Sequence, residues 1–454
     1  MKLTKFRKAF LMSALSLGII VGVTSCVQSY TVGYLYVTGT QTTGTSTSSQ
    51  SGSNNGIISG FKIDHNTGNL VPIHGLPISS GGSNPARAVL LTGGRFLYVL
   101  NQGTPANSGT SCTATTMCQA TITQFAIGGN GALAPQGVGV QPEGFNSSRM
   151  VGDSTGKFIY VLDDIAPSSS ACALALGGGV DSCGDITAYQ VDPNTGRLTL
   201  VVNSQVTSAT GEPLPYFPVP ANPIDFIQTG GYVLTVSGTP ATGDIVFPYT
   251  YSSSTGQLSI NQNGTQSLNL FQATAIIPAA SGVFVLSNDP LATSSGPVPS
   301  QIVQYSIGTN GSLQAVQGGG VTAGPASLSH PIYLIQEKNA KWAYVAFYGD
   351  NNTTTGNTES GIGGYVIDPS NKTLDQGQSA DSPYGTGSGP VCLLEDPSAQ
   401  FIYTANFNDS TVSGLVLDQN VGSLQPLSQN HSKIKDTFAL PGPPSWCVAT
   451  GRTS

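Results

Sequence analysis

One unit recurs seven times along this chain, and the recurrence restricts the available folds more than any single motif does. Each unit has an aromatic-rich apolar strand, a variable loop, a third strand, a polar turn and a fourth strand. The aromatic strand reads YLYVTG from Tyr34, FLYVLN from Phe96, FIYVLD from Phe158 and YVLTVS from Tyr232. It continues as VFVLSN from Val283, WAYVAF from Trp342 and FIYTAN from Phe401. The turn reads IDHNTGNL from Ile63, IGGNGAL from Ile127, VDPNTGRL from Val191 and YSSSTGQL from Tyr251, then IGTNGSL from Ile307, IDPSNKTL from Ile367 and LDQNVGSL from Leu417. Asn-Gly and Thr-Gly supply the positive φ that tight hairpins need. Four short strands in each of seven units, spaced roughly 50–60 residues apart, fit the blades of a propeller. No long amphipathic helical pattern interrupts them. A β-sandwich does not account for seven similar units. The predicted fold is therefore all-β, a seven-bladed β-propeller of four-stranded blades.

The two ends of the chain support closure of the ring. The first unit starts at its second strand, Tyr34 onward, and lacks a first one. The missing strand appears at the other end, as PPSWCVATG from Pro443. Pairing the two completes the first blade and removes an exposed sheet edge.

Residues 1–25 stand outside the repeat. Lys2, Lys5, Arg7 and Lys8 precede an apolar run from Ala9 through Val23, which ends in Val23-Thr24-Ser25-Cys26. A charged start, a short apolar core and small residues at its end form a secretory signal. The tetrad resembles a bacterial lipobox, which implies cleavage before Cys26 and acylation of its thiol. Plain cleavage, with Cys26 an ordinary cysteine, is the alternative. The expected organisation is a signal over 1–25 and one propeller domain over 26–454. The expected place is the cell envelope, with the membrane reached through the lipid on Cys26.

Loss of the signal removes four of 16 basic residues and none of 23 acidic ones, leaving 12 against 23 and a net charge of −11. Such a balance argues against nucleic acid or anionic headgroups as partners. Only 9% of residues are charged, so the surface is solvated by neutral polar groups.

Of seven cysteines, six remain once Cys26 is set aside, an even number that suits an oxidising compartment. Cys112 with Cys118, and Cys172 with Cys183, read as local disulfides within polar loops. Cys392 lies two residues after Pro390, in the inner strand of unit seven. Cys447 lies three residues after Pro444, in the strand that completes unit one. Neighbouring blades meet through opposite faces, so this one-residue difference in register turns the thiols toward each other. A third disulfide is expected there. No cysteine or histidine cluster has zinc-site spacing, and no metal or cofactor is expected.

The large insertions, Thr38–Gly56, Asn101–Ala120, Asp163–Gly184, Ser287–Ser300 and Gly349–Gly361, all fall between strands two and three. One face of the ring is therefore elaborated, the face where each inner strand begins.

These signatures resemble the lactonase-type seven-bladed propellers, which include 6-phosphogluconolactonase and a muconate-lactonizing enzyme. SGPVCLLEDPSAQFIYTANFNDSTVSGLVLD from Ser388 and ITAYQVDPNTGRL from Ile186 carry the resemblance best. It implies a site at the mouth of the central channel, built from arginine, histidine and acidic side chains. Family members typically carry a Pro-His pair at inner-strand starts; here the order is reversed, as His330-Pro331.

Aligned on the aromatic strand, Arg87, Arg149, Asp225, Thr274, Tyr333, Cys392 and Trp446 occupy one position near the inner-strand start. Asn84, Asn146, Asn222, Phe271, His330, Gly389 and Pro443 occupy another just before it. Arg87 and Arg149, from adjacent blades, can grip a carboxylate or phosphate, with Asp225 and Tyr333 beside them. His330 or Glu143 is then expected as general base toward a lactone carbonyl. An arginine at a blade junction equally serves to brace a carboxylate such as Asp225. No Gly-x-Ser-x-Gly nucleophile motif, phosphate loop or EF-hand is present. Three readings follow: a hydrolase of a sugar or organic-acid lactone, a non-catalytic envelope protein that binds a glycan or protein through its looped face, and a structural component of the envelope.

Overall fold

The structure is a computed structural model. It describes residues 30–41, 55–91, 93–104, 112–113, 115–177, 180, 182–239, 243–261, 264–288, 300–323, 328–349, 360–375, 382–430 and 433–451. The signal and Cys26 lie outside them. Seven antiparallel sheets follow one another around a ring. The inner strands of blades two to seven begin at Pro85, Phe145, Pro223, Ala273, Pro331 and, through a bridge to Asn406, Pro390. The C-terminal strand Pro444–Gly451 pairs antiparallel with Thr31–Thr40, Val37 standing opposite Cys447. Blade one thus takes its inner strand from the end of the chain, as the sequence predicted.

The repeat exists because its two signatures touch. The aromatic strand lies between two neighbouring blades, so both of its faces are buried and its apolar run is almost unbroken. Its tyrosine hydroxyl reaches the turn of the next blade. Tyr36, Tyr98, Tyr160, Tyr344 and Tyr403 donate to the carbonyls of Gly131, Gly196, Gly256, Gly422 and Gly68 at 2.8, 2.8, 2.9, 2.9 and 2.6 Å. Leu234 and Phe284 replace the tyrosine in blades four and five. The apolar core is correspondingly divided into clusters, most of them shared by two adjacent blades; Tyr36, Leu97, Val99 and Phe125 belong to one of them.

The strand count departs from four per blade. In five blades the segment that leads to the next blade adds a fifth strand against the upper half of the third, as Ile78–Ser83 does against Asn55–Asp64. In blade five one bulged strand, Leu313–Thr322, makes both pairings, and in blade two a single bridge joins Ile122 to Val140. These segments are short and lack alternation, so their pairing is set by the neighbouring blade rather than by pattern. A short helix, Ser169–Leu176, fills the third-blade loop.

All three expected disulfides are present, with Cα separations of 5.5 Å (Cys112–Cys118), 5.6 Å (Cys172–Cys183) and 5.8 Å (Cys392–Cys447). The last joins blade seven to the closing strand.

Candidate functional site

The inner strands enclose a cavity of about 470 Å³ along the axis. Its middle is apolar, lined by Val89, Val151, Ile227, Ile277, Ile335 and Val448. Polar groups gather at the mouth on the looped face, where Arg87, Arg149, Asp225 and Tyr333 come together with Trp446. All five share one register: Arg87 stands opposite Leu100, Arg149 opposite Leu162, Asp225 opposite Val236, Tyr333 opposite Ala346 and Trp446 opposite Thr38. A β-bulge sits just before or at this point in each strand. Bulges re-aim side chains, here toward the channel.

The contacts at the mouth are specific. Arg149 Nε lies 3.3 Å from Asp225 Oδ1 without an aligned hydrogen bond. Asp225 Oδ2 accepts the Ile276 N–H at 3.0 Å. Arg87 Cζ stands 3.8 Å from the Trp446 ring centroid, and Tyr333 meets the same indole edge-on at 5.0 Å. Each guanidinium also donates to the carbonyl of the residue before it, Arg87 to Ala86 and Arg149 to Ser148, both at 3.2 Å. Burial pushes the Arg87 guanidinium down to about 9, with the Arg149 charge acting the same way and Asp225 opposing. It stays a cation at neutral pH. Burial raises the Asp225 carboxyl, and the two arginines pull it back. The Arg149 charge also acts on Asp164, which accepts from Ser148 Oγ at 3.2 Å and whose carboxyl burial pushes up to about 6. The mouth thus sets two guanidinium groups beside two carboxylates, with in-plane N–H donors to spare.

Glu143 and His330 stand apart from this group and are not among the residues that line the cavity. The Glu143 carboxyl faces the buried Asp185 in blade three, its backbone N–H donating to Thr187 Oγ1 at 2.9 Å. Burial raises its pKa. His330 Nδ1 is 3.0 Å from Ser329 Oγ. His330 has φ 58°, and Asn84, Asn146, Asn222, Gln272 and Gly389 are left-handed at the equivalent point of five other blades. Asparagine and glycine tolerate that conformation best, so the position selects for a turn. Its side chains stitch loops: Asn146 Oδ1 accepts from Cys118 N, and Asn84 Nδ2 donates to the Gly103 carbonyl.

Blade five corrects the sequence alignment by one residue. Ala273 pairs with Ser287 and Ala275 with Leu286, so Ala275 and Gln272, not Thr274 and Phe271, hold the two ring positions. Thr274 Oγ1 instead donates to the Pro331 carbonyl. Trp446 lies in the register row but was not assigned to the site; an aromatic side chain at an inner-strand start is the signal that marks it.

The seven sheets and the ring closure define a class, a seven-bladed β-propeller. Among solved structures, a candidate 6-phosphogluconolactonase from Bacteroides fragilis has a TM-score of 0.62 at 15% identity, over 94% of this chain and 99% of its own. A second such candidate, from Bacteroides uniformis, has 0.61 at 12%, over 93% and 100%. The periplasmic gluconolactonase PpgL of Pseudomonas aeruginosa has 0.58 at 16%, over 93% and 99%. At these identities the likeness establishes the fold alone. No protein-family model and no curated protein matches the sequence.

Proposed function

We propose that this chain hydrolyses a lactone of a sugar acid or other organic acid at the mouth of its central channel. The carrying observation is the pair of guanidinium groups around Asp225 at the looped-face mouth of a partly apolar cavity. The likeness to propellers described as gluconolactonases supports the choice of substrate class.

In this reading Arg87 binds the anionic tail of the substrate through charge-assisted hydrogen bonds. Asp225 takes the proton of a water that attacks the ring carbonyl, since it is the carboxylate that lines the cavity beside both arginines. Arg149 orients Asp225 through Nε and offers a terminal guanidinium N–H to the oxyanion that forms. The ring C–O bond then breaks, and the departing alkoxide takes the proton back from Asp225. The base role falls to Asp225 rather than to His330 or Glu143, because Asp225 faces both arginines and lines the cavity, which those two do not.

A second reading has its own support. Both Asp225 oxygens are already engaged, by Arg149 and by the Ile276 N–H. A carboxylate held so firmly suits an envelope protein that captures an anionic glycan or protein side chain without turning it over.

Location belongs to the same proposal. Three disulfides support an oxidising, extracytoplasmic compartment. The tetrad before Cys26 supports a lipid anchor to the membrane.

A lactone-hydrolysis assay decides between the two readings. Wild type is expected to open gluconolactone or its 6-phosphate faster than buffer does, and Asp225→Asn to lose the rate while still binding the product acid. Wild type that binds the acid but leaves every lactone at the buffer rate fits the binding protein instead.

A further inference from the structure

We propose that Trp446 is the positioning residue for Arg87, and that it acts by covering one face of the guanidinium. The proposal rests on the reading of the channel mouth as an anion site and names what fixes its geometry.

Arg87 Cζ lies 3.8 Å from the centre of the Trp446 ring, which is stacking distance. The edge-on contact with Tyr333, at 5.0 Å and 88°, steadies the indole from blade six. A guanidinium is planar and donates only within its plane. An indole against its face therefore blocks water there without consuming a donor. The Ala86 carbonyl takes one N–H of Arg87 at 3.2 Å. The remaining in-plane donors form a fork for one oxyanion, a carboxylate or a phosphate.

The two partners come from opposite ends of the chain. Arg87 belongs to the inner strand of blade two, and Trp446 to the C-terminal strand that completes blade one. The next residue, Cys447, is tied to Cys392 of blade seven. The fork is thus assembled only when the ring closes, and the disulfide holds the strand that carries its platform. Sequence order hides this, because 359 residues separate the two side chains, as their numbers show.

The test uses the mature chain and two variants, Trp446→Leu, which keeps an apolar side chain but loses the stack, and Trp446→Phe, which keeps a ring. Binding of gluconate and of inorganic phosphate is measured for each. Trp446→Leu is expected to weaken gluconate binding about tenfold, and Trp446→Phe to stay within about threefold of wild type. Leucine equal to wild type, or phenylalanine as weak as leucine, overturns the proposal. Equal weakening of phosphate means that the fork reads any oxyanion; weakening of gluconate alone means that it reads carboxylate. A ligand-free arm separates this proposal from the functional reading. The other tryptophan, Trp342, packs on Gly422 and contributes equally to all spectra. Arg87→Met is expected to shift the emission of wild type and not that of Trp446→Phe. No shift in either overturns the stack. A shift, with neither anion bound by wild type, upholds the positioning and overturns the anion site.

Discussion

The hydroxyl of Tyr403 donates a 2.6 Å hydrogen bond to the carbonyl of Gly68, 335 residues away, and joins the last blade to the first. Both residues sit in the recurring signatures of the sequence. Removing the hydroxyl leaves a buried carbonyl without its partner, so Tyr403→Phe is expected to cost about 1–3 kcal/mol. Gly68→Ala is expected to cost more. Gly68 has φ +69°, and a Cβ there would sit 2.5 Å from Phe401 Cδ1. Denaturant unfolding of the two variants checks both values, and an Ala variant as stable as wild type would contradict the contact.

Ring closure was legible in sequence because it follows from counting strands: unit one lacks its first, and PPSWCVATG supplies it. The Cys392–Cys447 bond was legible because strand alternation converts a one-residue offset into facing side chains. The mouth was half legible. Arg87, Arg149, Asp225 and Tyr333 fell into one register, and that register survives folding. His330 and Glu143 fall outside the cavity lining, because the bulge re-aims only the residue after it. Blade five slipped by one because VFVLSN extends the pattern one residue past the strand, which ends at Ser287. The fifth strands carry no period and could not be read.

The Cys392–Cys447 disulfide closes a loop of sequence separation 55. In the chain-entropy account a loop of that length contributes about 4 kcal/mol. Cys392→Ser with Cys447→Ser is expected to lower the unfolding free energy by an amount of that order, with a lower midpoint, and to weaken gluconate binding by loosening Trp446. Unchanged midpoint and binding together would remove the bond from the account.

Asp163 and Asp185 are fully buried in blade three. Ser147 Oγ donates to Asp163, the Gly144 N–H reaches it at 3.3 Å, and Thr187 Oγ1 lies 3.0 Å from Asp163 Oδ2 and 3.5 Å from Asp185 Oδ2. The other titratable groups facing the pair are Glu143, Tyr189, Tyr216 and Tyr249, none of them a cation. Burial raises both carboxyls, and the charge of Asp163 raises Asp185 further. The folded state then holds more protons than the unfolded chain above the ordinary carboxylate range, so stability is expected to fall as pH rises through that range. Asp163→Asn is expected to flatten the profile. Thermal midpoints from about pH 4 to about pH 8 check this; identical slopes for variant and wild type would contradict the raised carboxyls of this pair.

Acylation of Cys26 is a matter for mass spectrometry of the native protein. A diacylglyceryl-modified cysteine at the mature N-terminus is expected, from the tetrad Val23-Thr24-Ser25-Cys26. An unmodified Cys26, or cleavage elsewhere, would sink the anchor.

The central claim is that the guanidinium groups at the channel mouth bind an anion. Calorimetric titration of the mature chain with gluconate 6-phosphate, beside Arg87→Ala, tests it most directly. Wild type is expected to bind with an affinity that falls as salt is added, and the variant to bind at least about tenfold more weakly. Equal affinity in the two proteins, or binding indifferent to salt, would contradict it.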